Sequence, residues 1–380
     1  PQPTDGETKP VEEDKTEGTT ATPMTDTSYP ALADFDASNL PDAEVKLTAD
    51  LQARPADSGA MYSLAVVRVR LGKCAGAQEM ADAAVKSGAD RYYSALLMVG
   101  LKKRCGVPLD EFKKLLEEEG RDGQSPNINS IRHGLVHVYT ETGEGTRAVS
   151  LARALLKKDP RNTTLKKSLG LALFYSKKYD AARTVLRVIQ REREEASLPI
   201  DPEVNFYIAM IDAQEPTTLP EVTLSLLLKV VEAQPEFPEA QNMLGVYYMR
   251  ARVSTKEQRD AYLAKAKEAF YSAVTYAPAL TEARINWGVA LREMREYEGA
   301  EEAFKKAIEE SPNIPEAHYN LGLLYKEVTQ AGQRKQDALR KAMQEFETFK
   351  KLEVARGGAT AQVDALLKDC VATIKFLDAR

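Results

Sequence analysis

The chain has 380 residues, of which 43% are hydrophobic, and this share is ordinary for a folded protein. Its formal net charge of −5 is unevenly distributed, because residues 1–40 contain nine acids and two lysines while the remainder contains 48 acids and 50 bases. A body this close to neutral lacks the basic stripe that nucleic-acid binding requires, and no apolar run is long enough to span a membrane.

Residues 1–40 are rich in proline, threonine and acids, with Tyr29 and Phe35 as their only aromatic residues. Such a segment buries too little apolar surface to offset the entropy lost on ordering it. We therefore predict a disordered acidic tether over 1–40, although a tail with no role fits the composition equally well. This composition is common in lipid-anchored exported proteins, so membrane contact is expected only through an N-terminal lipid anchor outside this sequence.

Helical patterns occupy the rest of the chain. Residues 41–57 carry apolar residues on one helical face and predict an N-terminal capping helix, and residues 355–380 predict a C-terminal one. Between them a two-helix unit recurs at a period near 34 residues, which is typical of a solenoid. The units begin at Ser58, Arg91, Asn129, Thr163, Pro202, Pro238, Thr281 and Pro315, and the last one ends at Val354.

The units differ in regularity. The most regular is Thr281–Ile314, and the Arg91–Ile128 unit is divergent. The unit that begins at Pro238 is longer by about nine residues, which we place in a turn at 252–260, and the last unit has a longer turn at 329–337. Four first helices have glycine at the same position, where a side chain would hold the second helix away: Gly170, Gly245, Gly288 and Gly322.

These positions resemble the tetratricopeptide repeat pattern over residues 58–354. The resemblance implies an all-α fold, namely a right-handed α-solenoid of about eight helix pairs with a capping helix at each end. It also implies a protein-binding scaffold rather than an enzyme. The sequence has no G-x-S-x-G nucleophile motif and no Walker-type phosphate loop, so we expect no catalytic residues and no cofactor.

In this family the first helix of each unit lines a concave groove. The resemblance implies a partner-binding groove that contains Tyr62, Tyr92, His133, His137, Lys167, Leu171, Phe174, Phe206, Met210, Val246, Met249 and Tyr319. The centre of this set is apolar, which favours an amphipathic helix or an extended peptide as the ligand, unless these residues are covered by the tail or by the superhelix itself. His133 and His137 share a helical face, but no third ligand is nearby in sequence, so no metal site is expected.

Two of the three cysteines, Cys74 and Cys105, fall in the turns between the two helices of adjacent units. Because such turns stack along one edge of a solenoid, we predict a disulfide between them, with two unrelated surface thiols as the alternative. A disulfide indicates an oxidising compartment such as a periplasm. Cys370 lies on an apolar helical stripe and is expected in the core.

The leading interpretation is a scaffold of a bacterial envelope complex, periplasmic or associated with the outer membrane. In this it resembles tetratricopeptide lipoproteins of secretion, pilus and gliding-motility systems. Its expected partners are other proteins of the complex, and not nucleic acid. The alternative is a cytoplasmic adaptor or co-chaperone. An enzyme regulated by repeats is disfavoured, because the segments before and after the repeats are too short for a catalytic domain.

Overall fold

A computed structural model describes residues 39–121, 123, 125–214, 220–251, 253–328 and 335–379. These residues form eighteen α-helices and no β-strand. Helix α1 (Leu40–Ala53) comes first and α18 (Ala361–Asp378) comes last. Between them lie eight pairs, namely α2 (Ser58–Arg70) and α3 (Cys74–Lys86), α4 (Arg91–Cys105) and α5 (Asp110–Arg121), α6 (Ile128–Glu141) and α7 (Gly145–Lys158), α8 (Thr163–Tyr175) and α9 (Tyr179–Glu195), α10 (Pro202–Asp212) and α11 (Pro220–Ala233), α12 (Pro238–Arg250) and α13 (Lys256–Tyr276), α14 (Thr281–Glu293) and α15 (Tyr297–Glu310), and α16 (Pro315–Val328) and α17 (Lys335–Ala355).

The core is a strip that follows the solenoid, because nearly every helix packs against the helices before and after it in the chain. One buried cluster runs from α2 to α10 and another from α14 to α18, with smaller clusters between them. First helices of neighbouring pairs also touch, as α12 does with α14. The predicted all-α solenoid with a helix at each end is confirmed.

Close packing of the two helices of a pair explains the recurrent glycines. A Cβ at Gly288 would lie 2.6 Å from the ring of Phe304, and one at Gly322 would lie 2.6 Å from the ring of Phe346. The other two glycines of this set meet Leu186 and Phe270 at 2.5 Å. The predicted role of glycine at this position is confirmed.

The divergent second unit packs differently. Helix α4 packs directly against α6, and α5 packs mainly against α6 as well. Gly134 permits the approach of α6 to α4, since a Cβ there would lie 2.7 Å from the carbonyl oxygen of Arg91. The divergence that the sequence shows at Arg91–Ile128 is therefore a real change in helix pairing.

Three predicted boundaries need correction. Leu40 is the first residue of α1 and is 2% exposed, so it belongs to the solenoid and not to the tether; residues 1–38 lie outside the described residues. The excess residues before Asp260 do not form only a turn, because α13 begins at Lys256 and is 21 residues long. Likewise α17 begins at Lys335, while Arg252 and residues 329–334 lie outside the described residues.

The superhelix also contacts itself at a distance in sequence. The backbone N–H of Ala279, in the turn between α13 and α14, donates a 3.3 Å hydrogen bond to the carbonyl oxygen of Arg70 at the end of α2. Arg104 of α4 and Glu239 of α12 form an ion pair. These contacts bring the first pairs against the sixth and seventh pairs and enclose a groove.

Candidate ligand-binding groove

Two adjoining cavities occupy the inside of the superhelix, with volumes of 580 and 680 Å³. Both are walled by the first helices of several pairs rather than by one helix. The residues that line both cavities are Leu96, Gly100, Arg104, Lys167, Glu203 and Glu239. We refer to the two cavities together as the groove.

Gly100 exposes the backbone of α4 to the groove. A Cβ at Gly100 would have no heavy atom of the described residues within 4 Å. Unlike Gly288 or Gly322, it therefore makes no close helix contact, although glycine costs about 1 kcal/mol in a helix relative to alanine. It leaves open space where other groove positions have side chains.

A row of polar side chains crosses one wall of the groove. The Lys103 ammonium donates a 3.0 Å hydrogen bond to the Tyr175 hydroxyl, and the hydroxyl groups of Tyr175 and Tyr207 are 3.0 Å apart. Burial works against the charge on Lys103, but Tyr175 and Glu141 raise its pKa overall. Burial, followed by the neighbouring Tyr175, raises the pKa of Tyr207 well above its usual value. The lysine is therefore charged and both tyrosines are neutral.

Lys167 supplies a second buried cation on the same wall. Its ammonium lies 2.8 Å from Glu203 and 3.5 Å from Asp201. Burial alone would lower the pKa of Lys167, but these two carboxylates raise it. Since its charge is matched locally, Lys167 is already neutralised before any ligand arrives.

His133 and His137 share one hydroxyl group. Their Nε2 atoms lie 2.7 and 2.9 Å from Oγ of Ser168, and that hydroxyl donates to the carbonyl oxygen of Thr164 at 3.0 Å. A hydroxyl has only one hydrogen, so this arrangement assigns the Nε2–H tautomer to both histidines. The ring of Tyr92 stacks on His133, with centroids 4.2 Å apart.

Both histidines are neutral because of where they lie. Burial lowers the pKa of His133 to about 3. Burial, then the nearby His133, Lys167 and Lys103, holds the pKa of His137 well below its usual value. Within the described part of the chain, no cluster of three or more metal-ligating side chains occurs.

The predicted groove residues fall into two groups. Tyr62, Tyr92, His137, Lys167 and Leu171 line the groove, and His133 lines a neighbouring cavity of 540 Å³. The others do not line the groove: Phe174, Phe206, Met210, Val246, Met249 and Tyr319.

This second group packs between helices instead. The Phe206 ring lies 5.0 Å from that of Phe237 and is 8% exposed, and Tyr319 lies 5.1 Å from Phe349. Phe174 packs edge-on against Tyr207 at 5.0 Å. The expected apolar centre of an open groove is therefore wrong for these residues, because neighbouring helices cover them.

Several groove residues were missed by sequence reasoning. Arg70, Lys103 and Arg104 lie in the last turns of α2 and α4, beyond the positions that the repeat pattern assigns to the groove. The basic run at the end of α4 was the available signal, because cations also occur there to favour a helix C-terminus. Ala279 comes from a turn between pairs, for which the pattern gave no signal.

The cysteines lie at helix ends. The structure joins Cys74 to Cys105 as a disulfide, with Cα atoms 5.5 Å apart. Cys74 is the first residue of α3 and Cys105 is the last residue of α4, so the predicted placement in the turns is off by the width of a helix end. Cys370 is fully buried in α18, as expected.

Two family models match parts of the chain. The model described as "Tetratricopeptide repeat" matches residues 134–197, and the model described as "TPR repeat" matches residues 288–328. These segments are tetratricopeptide repeats. Such repeats generally form scaffolds for protein–protein interaction. No curated protein matches the sequence significantly.

Solved structures show the same fold. The APC/C hetero-tetramer Cut9-Hcn1 matches 87% of this chain and 59% of its own at 14% identity and a TM-score of 0.57. TTC0263, a thermophilic TPR protein of Thermus thermophilus, matches 55% of this chain and 99% of its own at 19% identity and a TM-score of 0.40. YrrB, a TPR protein with an unusual peptide-binding site, matches 54% and 95% at 19% identity and a TM-score of 0.35. Among the helices of the described ranges, none has the length and apolar character needed to cross a membrane.

Proposed function

We propose that this protein is a non-enzymatic scaffold that binds a short extended segment of a partner protein inside its groove. The observation that carries the proposal is the pair of adjoining cavities enclosed by the first helices of several repeats. The presence of tetratricopeptide repeats supports a protein as the partner. The wall offers apolar contact at Leu96 and Leu171 together with the hydroxyl groups of Tyr175 and Tyr207.

The size of the cavities favours an extended segment over a helix. A helix with its side chains is about 10–12 Å wide and rises 5.4 Å per turn, so one turn occupies roughly 400–600 Å³. Each cavity, at 580 or 680 Å³, has room for little more than one turn. An extended chain rises about 3.3 Å per residue and presents alternate side chains to opposite walls. A segment of this kind can run through both cavities.

The setting that we propose is an assembly in an oxidising compartment, with a bacterial envelope as the leading case. The placement of Cys74 against Cys105 supports it, because such pairs persist where thiols are not kept reduced. The acidic segment before Leu40 then serves as a tether to the envelope. Alkylation of both thiols in protein taken untreated from its native cells would contradict this setting and favour a cytoplasmic adaptor.

Substitution at Gly100 tests the binding site with a matched pair of variants. The probe is a pool of fluorescein-labelled hexapeptides of random sequence, and the measurement is fluorescence anisotropy with the full chain. Gly100→Trp fills open space in the groove without meeting a neighbouring side chain. Gly100→Ala leaves nearly all of that space empty.

The two variants are expected to differ. Gly100→Trp should abolish binding of the pool, whereas Gly100→Ala should bind like the unmodified protein. Both should retain the helical circular dichroism signal, because neither substitution meets a packed atom. Equal binding by the tryptophan variant, or absence of binding by the unmodified protein, would contradict the proposed function.

A further inference from the structure

Two arginine side chains lie side by side in the smaller cavity of the groove. Arg70 comes from the last turn of α2 and Arg104 from the last turn of α4, and both line the 580 Å³ cavity. Burial, and next the charge of Arg104, lowers the pKa of Arg70 below its usual value. Two like charges thus stand close together in a place with little water.

Their hydrogen-bonding capacity is largely unused. Arg104 uses Nη2 to contact Glu239, but its Nη1 is buried with no hydrogen-bond partner. Across the described residues, the Arg70 guanidinium makes no hydrogen bond or ion pair, although its backbone carbonyl accepts from Ala279. A guanidinium carries five N–H donors, and a buried donor without a partner costs about 1–3 kcal/mol or more.

The other cations of the groove are already satisfied. Lys167 is paired with Glu203 and Asp201, and Lys103 contacts Tyr175 and Glu141. The two carboxylates near the arginines, Glu236 and Glu239, both favour the charge on Arg70. Glu239 is engaged with Arg104, and Glu236 makes no ion pair with either arginine within the described ranges. The free donors are therefore concentrated at one place.

We propose that Arg70 and Arg104 together bind a carboxylate of the segment held in the groove, an inference that rests on the proposed function. A carboxylate has two oxygens that accept hydrogen bonds from a guanidinium in a planar, two-point arrangement. Placed between the two arginines, it accepts from the unused N–H groups and offsets their mutual repulsion. The carboxylate is either the C-terminus of the partner or the side chain of an aspartate or glutamate, and these two sources share the same chemistry.

Three labelled hexapeptide pools separate these sources. One pool has a free C-terminal carboxylate and no acidic residues, the second has an amidated C-terminus and one internal glutamate, and the third is amidated and has no acid. Each is titrated by anisotropy against the full-length protein and against Arg70→Gln and Arg104→Gln. Arg153→Gln is the matched control, because Arg153 is an exposed cation on α7, remote from the groove lining.

At least one carboxylate pool should bind about tenfold more tightly than the neutral pool, and the pool that does so identifies the source. Arg70→Gln and Arg104→Gln should each reduce this preference to about twofold or less, while Arg153→Gln should leave it unchanged. Arg70→Gln keeps the ion pair between Arg104 and Glu239, so its result does not depend on that link between repeats.

Failure of the inference can be told apart from failure of the proposed function. Equal binding of all three pools, or a preference that survives in both groove variants, overturns the carboxylate site and leaves the peptide groove in place. Absence of binding by every pool overturns both.

Discussion

The Ala279 N–H bonds to the Arg70 carbonyl oxygen at 3.3 Å, which fixes the turn between α13 and α14 against the end of α2. Gly72 lies at the same contact, because a Cβ at Gly72 would be 3.4 Å from the Cβ of Ala279. The ion pair between Arg104 and Glu239 joins the same parts of the solenoid. Together these contacts turn a groove that is open in a simple superhelix into an enclosed one.

A side chain at Gly72 should open this closure. Gly72 and Gly88 both end a helix with positive φ, at +75° and +83°, so valine at either position costs about 1–2 kcal/mol in backbone strain. Only Gly72→Val also presses on Ala279, whereas a Cβ at Gly88 meets nothing within 4 Å. We expect Gly72→Val to raise the radius of gyration in X-ray scattering and to abolish hydrogen-exchange protection at Ala279.

Gly88→Val is the control, and it should lose similar stability without either change. If the Ala279 amide stays protected in Gly72→Val, the contact does not close the superhelix.

Alanine should have opposite effects at two helical glycines. Gly322→Ala places a methyl group 2.6 Å from the Phe346 ring, and overpacking of this kind costs about 1–3 kcal/mol. Gly100→Ala meets open space and should stabilise α4 by up to about 1 kcal/mol. Urea unfolding followed by circular dichroism measures both. Changes of the same sign in the two variants would contradict the distinct roles given to these glycines.

The contrast between Gly322 and Gly100 shows what the sequence could predict. The glycine at Gly322 recurs at one position of four repeats, so the period itself indicated a contact between paired helices, and the structure has that contact with Phe346. Gly100 lies outside this position. Its meaning depends on how all the pairs add up to a superhelix, because small rotations between pairs decide which residues face one another across the groove.

The same distinction applies to the groove side chains. The pattern correctly indicated that Tyr62 and Lys167 face the inside, since this follows from their place on a first helix. It could not indicate that Phe206 is covered by Phe237 of the following turn, which depends on local packing. Nor could it indicate the approach of Arg70 to Ala279, which joins residues many repeats apart.

Reduction of the Cys74–Cys105 disulfide should destabilise the first two repeats. The bond closes a loop with a sequence separation of 31 residues, and bonds of this kind contribute about 2–4 kcal/mol by restricting the unfolded chain. We expect a lower urea midpoint with reductant, and the same low midpoint for Cys74→Ser/Cys105→Ser in either condition. Intact-mass analysis after alkylation of native protein should show neither thiol labelled. A midpoint that reductant does not change would contradict a structural role.

Acid should destabilise the fold through His133 and His137. Their folded pKa values lie well below the usual value near 6.5, so between these values the unfolded chain binds more protons and stability rises with pH. The contribution is complete above about pH 6.5 and is lost as the pH falls, by about 1–2 kcal/mol for each histidine between pH 7 and 5. Urea unfolding at pH 7, 6 and 5 measures this loss.

The double variant His133→Gln/His137→Gln cannot gain protons, and glutamine can still donate an N–H to Ser168, so its loss between pH 7 and 5 should be much smaller. His318→Gln is the control with the opposite sign. Glu345, and next the Pro312 carbonyl, raises the pKa of His318 against the effect of burial, so its contribution is present at low pH and disappears as the pH rises through that pKa. Removing His318 should therefore leave the acid loss intact or make it steeper. A double variant that loses as much stability as the unmodified protein would show that these two histidines are not the source.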